Sequence, residues 1–184
     1  MTVTAAEASR VFAEADCLHS GTEVERALAA MAQAINRELE GREPLVLCVM
    51  TGGLVVAGQL LTRFTFPLHL DFVHATRYRG ETSGGDIHWL VEPHRSLEGR
   101  TVLLLDDILD EGHTLAAIQD YCRGNGAREV YTAVLVEKLH DRKNPRAKAE
   151  FIGLRVEDRY VFGYGMDYKD YLRNAPGIYA VKGS

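Results

Sequence analysis

Cysteine is scarce in this chain. Cys17, Cys48 and Cys122 are the only three among 184 residues, and they lie far apart. An odd, widely spaced set fits neither a disulfide framework nor a zinc site, so reduced thiols in a cytoplasm are expected. Long apolar runs are missing as well. None approaches the roughly 20 residues that span a bilayer, so no membrane partner is expected. The N-terminus has no basic stretch leading into an apolar segment, so no secretory leader is apparent. There is no excess of positive charge: 21 Lys and Arg stand against 26 Asp and Glu. That balance gives no general attraction to nucleic acid or to an anionic membrane. Internal repeats, low-complexity tracts and interdomain linkers are also lacking. The span 1–184 is therefore read as one domain, long enough for a sizeable core.

What is present is an alternation of helical and strand patterns. Thr4-x-x-Glu7 and Ser20-x-x-Glu23 resemble capping boxes, each opening a helix. Val24, Leu28, Met31, Ile35 and Leu39 recur at helical spacing as a core stripe, and Gly41 is a stop signal. Leu45 to Met50 predicts a buried strand, and Leu54 to Leu61 the next helix. Leu68, Leu70 and Phe72 alternate with polar neighbours, as do Ile87, Trp89 and Val91, predicting two half-buried strands. These two form a long hairpin around a polar, glycine-bearing mobile loop, Tyr78 to Asp86. Val130 to Val136 reads as a further strand. Glu137 to Ala149, basic and carrying Pro145, reads as a loop. Phe151 to Leu154 and Tyr160 to Phe162 are short strand candidates. Strands alternating with helices predict an α/β fold with a largely parallel central sheet flanked by helices.

One stretch carries most of the chemistry. Val102 to Thr114 reads VLLLDDILDEGHT. A buried strand runs into Asp106 and Asp107, then through Asp110-Glu111-Gly112-His113-Thr114 into a helix ending near Gly124 and Gly126. Parallel sheets bind ligands where strands end and helices begin. A helix N-terminus there offers N–H groups and a positive dipole end to a phosphate. The adjacent carboxylates suit sugar hydroxyls or Mg²⁺. A solvated acidic turn after a buried strand is the better account of the paired acids alone, and the complete run is more specific. His113 invites a general-base reading, since histidine as a residue type suits that role, but its neighbours favour a place in a phosphate loop. The remaining histidines show no partner pattern.

Three other segments add to this. Met50-Thr51-Gly52-Gly53 lies at a second strand-to-helix junction, where glycines let backbone N–H groups approach an anion; a tight structural turn is the alternative. Arg159 to Tyr168 is rich in aromatics around Asp167. A ring there can stack on a flat heterocycle and the acid can accept from amino groups, or the segment is a strand and turn packed on the core. Lys138 is either a solvated lysine or, at the sheet's carboxyl edge, a donor to a carbonyl oxygen.

In combination, from Leu45 to Val181, these segments resemble the hypoxanthine-guanine phosphoribosyltransferases, a purine family of the type I phosphoribosyltransferases. LLLDDILDEGHT is similar to the family's ribose 5-phosphate loop and VMTGG to its pyrophosphate loop. VEKL is similar to its purine-binding lysine segment. YVFGYGMDYKDYLRN is similar to the C-terminal segment that separates purine from pyrimidine members. The resemblance implies the type I fold, with a small hood from the terminal segments and a mobile hairpin lid carrying Tyr78. It also implies a 6-oxopurine and phosphoribosyl pyrophosphate as substrates, Mg²⁺ as cofactor and a homodimer or homotetramer.

For the site, the resemblance implies that Asp106 and Asp107 bind the ribose hydroxyls and that Asp110 is the general base facing purine N7. Glu111, Gly112, His113 and Thr114, with Asp110, surround the 5-phosphate. Thr51, Gly52, Gly53 and Arg173 meet the pyrophosphate. Lys138, Tyr160, Val161 and Asp167 meet the purine; Asp106 binds one Mg²⁺ and Asp167 a second. It further implies a cis peptide between Met50 and Thr51. Thr51 stands where many relatives carry lysine, which removes a charge, and Arg77 stands where many carry serine. A sensor of phosphoribosyl pyrophosphate without enzymatic activity and a xanthine-preferring enzyme are the two alternative readings. No basic helix-turn-helix segment accompanies the motifs, which favours the enzyme over the sensor.

Overall fold

A computed structural model describes residues 3–77 and 87–184. Helix α1 spans Ala5–Glu14 and strand β1 Asp16–His19. Helix α2, Gly21–Leu39, begins at a complete capping box. The Ser20 hydroxyl accepts from the Glu23 backbone at 3.4 Å while the Glu23 carboxylate accepts from the Ser20 backbone at 2.8 Å. Thr4 accepts from the Glu7 backbone without the reciprocal bond. Such caps contribute about 1 kcal/mol each by satisfying donors that a helix start leaves unpaired. The stripe Val24, Leu28, Met31, Ile35 and Leu39 is buried throughout, as its spacing predicts.

The main sheet is built from β2 (Leu45–Met50), β3 (His69–Arg77), β4 (Ile87–Val91), β5 (Thr101–Leu109), β6 (Glu129–Leu139) and β7 (Phe151–Glu157). Their order is β4-β3-β2-β5-β6-β7. Every pair is parallel except β3 with β4. Helix α3 (Gly53–Leu61) follows β2, and α4 (His113–Gly124) follows β5. The two sheet faces carry separate cores. One joins α2 and α3 to the sheet through residues such as Leu28, Ile35, Val56 and Leu103. The other joins α4 through Leu115 and Ile118 to Leu104 and Val134. Strands buried on both faces explain the continuous apolar runs of β2 and β5.

A second, antiparallel sheet runs β1-β9-β8, with β8 at Val161–Phe162 and β9 at Ile178–Ala180. It is the hood made by the terminal segments. Neither β1 nor β9 was legible in the sequence, because three or four residues are too few to display an alternation.

The structure corrects two further readings. Strand β6 continues through Leu139, so Lys138 lies on a strand rather than in a loop. Pairing with β7 as far as Leu139↔Glu157 holds it there. The strand β3 is reversed. Leu70 and Phe72 face outward and are exposed, while Asp71, Val73 and Ala75 are buried. Val73 and Ala75 pack into the core beneath α4. The buried Asp71 is satisfied by the backbone N–H groups of Phe72, His94 and Arg95 at 2.8–2.9 Å. The hairpin reading holds, since β3 and β4 pair antiparallel from His74↔Val91 to Arg77↔Ile87.

Candidate active site

Three strand ends meet at one edge of the main sheet. Strands β2 and β5 are in register at Cys48↔Leu105, and β5 and β6 at Leu109↔Glu137. The sheet therefore brings the segments after Met50, after Leu105 and around Lys138 side by side, at the edge where parallel sheets bind ligands.

The loop after β5 turns at Gly112, which has φ +76° and serves as the N-cap of α4. A side chain there would be strained by that φ and would also collide with Ala147 and Leu109. Helix geometry leaves the first N–H groups of α4 without partners inside the helix. Asp106, Asp110, Glu111, Gly112, His113 and Thr114 line a cavity of about 250 Å³ over this start. His113 meets two neighbours of the loop. It lies 3.7 Å from the Glu111 carboxylate and 3.4 Å from the Asn144 amide. The Asn144 backbone in turn donates to Glu111 O at 2.8 Å, so the segment after β6 braces the loop.

A second cavity, about 200 Å³, adjoins the first and shares Ile108 and Asp110 with it. Asp107, Lys138, Tyr160, Val161, Met166 and Asp167 complete its lining. Val161 is buried in the hood, paired with Ala180 of β9. Tyr160 is exposed, its ring braced edge-on by Tyr168 at 5.6 Å between centroids. Successive side chains of a strand alternate. Asp106 accordingly lines the first cavity and Asp107 the second.

Asp110 stands between the two. Lys138 Nζ donates to its Oδ2 at 2.7 Å, and His140 Nε2 lies 2.7 Å from its Oδ1. Burial pushes the Asp110 carboxyl up, but the hydrogen bonds of Lys138 and His140 and the charge of Lys138 outweigh this and hold it below its ordinary value. His140 was missed in the sequence. Its signal was the period of two in a strand, which sets positions 138 and 140 on one side.

Asp106 and Asp107 behave in the opposite way. Burial, and then the charge of Asp107, push Asp106 well above its ordinary value; burial also pushes Asp107 up. Among the described residues, neither carboxylate has an ion pair within 4 Å. Two hard oxygen donors without a directly paired cation, Arg173 acting on Asp107 only through its charge, fit a divalent cation such as Mg²⁺. Asp167 is more engaged. Its Oδ1 lies 2.8 Å from Arg173, and its Oδ2 accepts from the Asp170 backbone at 2.8 Å.

The junction after β2 completes the site. The Met50–Thr51 peptide is cis, as the resemblance implied. Thr51 is exposed, and Gly53 opens α3. A Cβ on Gly52 would overlap the Asp107 carboxylate, and one on Gly165 would overlap Gly52 O. This loop is thus wedged between the acidic pair and the C-terminal segment. Arg173 donates to Gly165 O at 2.7 Å, which ties it to the same wedge. Tyr78 lies outside the described residues, as does the loop that was expected to carry it.

Comparison with known proteins gives the family. The model of the phosphoribosyl transferase domain matches residues 14–170. The bifunctional protein TilS/HprT of Listeria innocua is 33% identical over 90% of this chain, although the chain spans only 26% of that protein. The hypoxanthine-guanine phosphoribosyltransferase of Bacillus subtilis is 31% identical, over 90% of this chain and 92% of its own length. The crystal structure of a hypoxanthine-guanine phosphoribosyltransferase from Bacillus anthracis superposes with a TM-score of 0.81 at 27% identity, over 90% of this chain and 96% of that one. The chain belongs to the phosphoribosyl transferase domain family.

Proposed function

We propose that this protein transfers the 5-phosphoribosyl group of phosphoribosyl pyrophosphate to N9 of hypoxanthine or guanine, giving the nucleotide and pyrophosphate. The observation that carries this reading is the position of Asp110 between two cavities of different chemistry. One has helix N–H groups for a phosphate and Asp106 for the ribose. The other has a lysine, an exposed ring and a carboxylate for a purine. The match to hypoxanthine-guanine relatives along most of the chain supports the same substrates.

In this scheme the N–H groups from Glu111 to Thr114 and the Thr114 hydroxyl grip the 5-phosphate. Asp106 and Asp107 hold the ribose hydroxyls and lie near C1 as it gains positive character. Thr51, Gly52, Gly53 and Arg173 receive the pyrophosphate. Mg²⁺, one ion held through Asp106 and a second through Asp167, would neutralise that leaving group. Lys138 uses one of its three donors on Asp110, and the others are available to purine O6. Tyr160 stacks on the base, and the Val161 backbone and Asp167 set its edge. Ionised Asp110 accepts the N7 proton as the N9 bond forms. Positioning of base and sugar supplies much of the rate.

The deciding experiment is nucleotide formation from hypoxanthine, guanine and xanthine with phosphoribosyl pyrophosphate and Mg²⁺. Turnover of hypoxanthine and guanine is expected. Preference for xanthine would reassign the base, and binding of phosphoribosyl pyrophosphate without turnover of any purine would make the protein a sensor.

A homo-oligomer belongs to the same proposal. Exposed Leu54, Leu70 and Phe72, with Met50 and Leu61, line an apolar groove of about 440 Å³ beside the β2–α3 junction. Large exposed apolar patches mark interfaces. A second copy covering this groove also accounts for the outward-facing side chains of β3. Light scattering is expected to give a dimer or tetramer that F72D dissociates; a wild-type monomer at micromolar concentration would remove the reading. The three unpaired cysteines, two of them buried, support a reducing compartment such as the cytoplasm. Among the described residues no helix is long and apolar enough to cross a membrane.

A further inference from the structure

We propose that His140 is a positioning residue for Asp110, an uncharged donor that fixes the direction in which the carboxylate faces the purine cavity. The proposal rests on the reading of Asp110 as the general base. His140 follows the last residue of β6, and its side chain is only 3% exposed, against 40% for Asp110. Its Nδ1 accepts the backbone N–H of Arg142 at 3.1 Å. A backbone N–H can only donate, so Nδ1 carries the lone pair and the ring proton is assigned to Nε2. That proton points at Asp110 Oδ1, 2.7 Å away.

The turn that presents His140 is itself anchored. The Arg142 guanidinium forks onto Asp158, just beyond β7, with bonds of 2.7 and 3.0 Å. Planar two-point pairing of this kind fixes orientation as well as distance. The charged groups around His140 are therefore Asp110 and Lys138 on the site side and Asp158 and Arg142 on the other, with Glu111 near Arg142. Asp110, His140 and Asp158 offer three atoms within 4.8 Å of one another, a spacing that a metal could use. Here Lys138 and Arg142 already supply the positive charge, so the cluster is closed as a hydrogen-bond network.

The two donors divide the work. Lys138 brings charge to Oδ2, and the ring of His140 brings direction to Oδ1. Asp110 borders both cavities, so rotation about its Cβ–Cγ bond would turn an oxygen from the purine side toward the ribose side. Two donors from rigid elements prevent that rotation. Because His140 is uncharged, it adds this restraint without placing a second cation on the base and weakening it.

The test compares H140F, which removes the donor but keeps the ring's bulk, with H140Q, whose amide N–H can reach Oδ1. Steady-state kinetics are measured across pH on the full-length protein. H140F is expected to lower kcat by about tenfold or more through lost alignment, with KM for phosphoribosyl pyrophosphate within about twofold of wild type. The acid limb of kcat/KM for the purine should move to higher pH, because ionised Asp110 loses a donor. H140Q should recover most of kcat and return the limb. If H140F does not fold, H140N, polar but too short to reach Oδ1, carries the same expectation. Equal activity in the donor-free and donor-bearing variants with an unmoved acid limb would overturn the proposal, leaving His140 as packing. Failure of the underlying reading looks different, since D110N would then retain turnover whatever His140 does.

Discussion

Asp110→Asn is expected to retain binding of phosphoribosyl pyrophosphate and to lose about 10²–10⁴ in the rate of nucleotide formation, the usual contribution of a general base. The reason lies in what surrounds the group. Asp110 is held below its ordinary pKa by Lys138 and His140 against the opposing effect of burial, so it is ionised at neutral pH and ready to take a proton. An amide keeps the shape but cannot accept one. It also has a single oxygen for two donors, so either Lys138 or His140 loses its partner. The donor left unpartnered is buried, the Lys138 side chain being 11% and that of His140 3% exposed, so a folding cost of about 1–3 kcal/mol is expected. Single-turnover rates check the chemistry, and titration with phosphoribosyl pyrophosphate checks binding. A rate within about threefold of wild type would remove Asp110 from the chemistry.

Replacing both Asp106 and Asp107 by Asn should have the larger effect on binding and the opposite effect on stability. Each charge-assisted bond lost to a hydroxyl or to metal-bound water is worth ~1.5–3 kcal/mol, so Mg²⁺–phosphoribosyl pyrophosphate should bind more than about 100-fold more weakly. Folding raises the pKa of both carboxyls. An acid with a raised folded pKa binds its proton more tightly when folded, so its ionisation at neutral pH opposes folding. Asn removes that opposition. It also keeps the Oδ1 atoms that accept from the Asp107 and Ile108 backbones at 2.9 and 2.8 Å. The melting temperature should therefore stay level or rise as calorimetric affinity falls. Unchanged affinity in a folded double variant would return the pair to a buried acidic turn with no ribose role.

Residues whose role depends on their near neighbours could be read from the chain. The run Val102 to Thr114 contains a buried strand, its terminal acids, the turn glycine and the helix start, all local features. The stripe on α2 and the Ser20 cap are local in the same way. So is the alternation of β3, yet its sense came out reversed. A period of two states that two faces differ, and only the packing of α4 decides which face is covered.

The sequence by itself determined the α/β class, the strand-to-helix junctions and the residue types gathered at them. It could do so because period, capping and turn chemistry act over a few residues. It took the folded sheet to show that His140 meets Asp110 across 30 residues, that Arg159 reaches Asp16 across 143 residues, that a Cβ on Gly52 would overlap the Asp107 carboxylate and that one on Gly165 would overlap Gly52 O. The physical reason is that strand order and register bring together distant segments whose local patterns carry no record of one another.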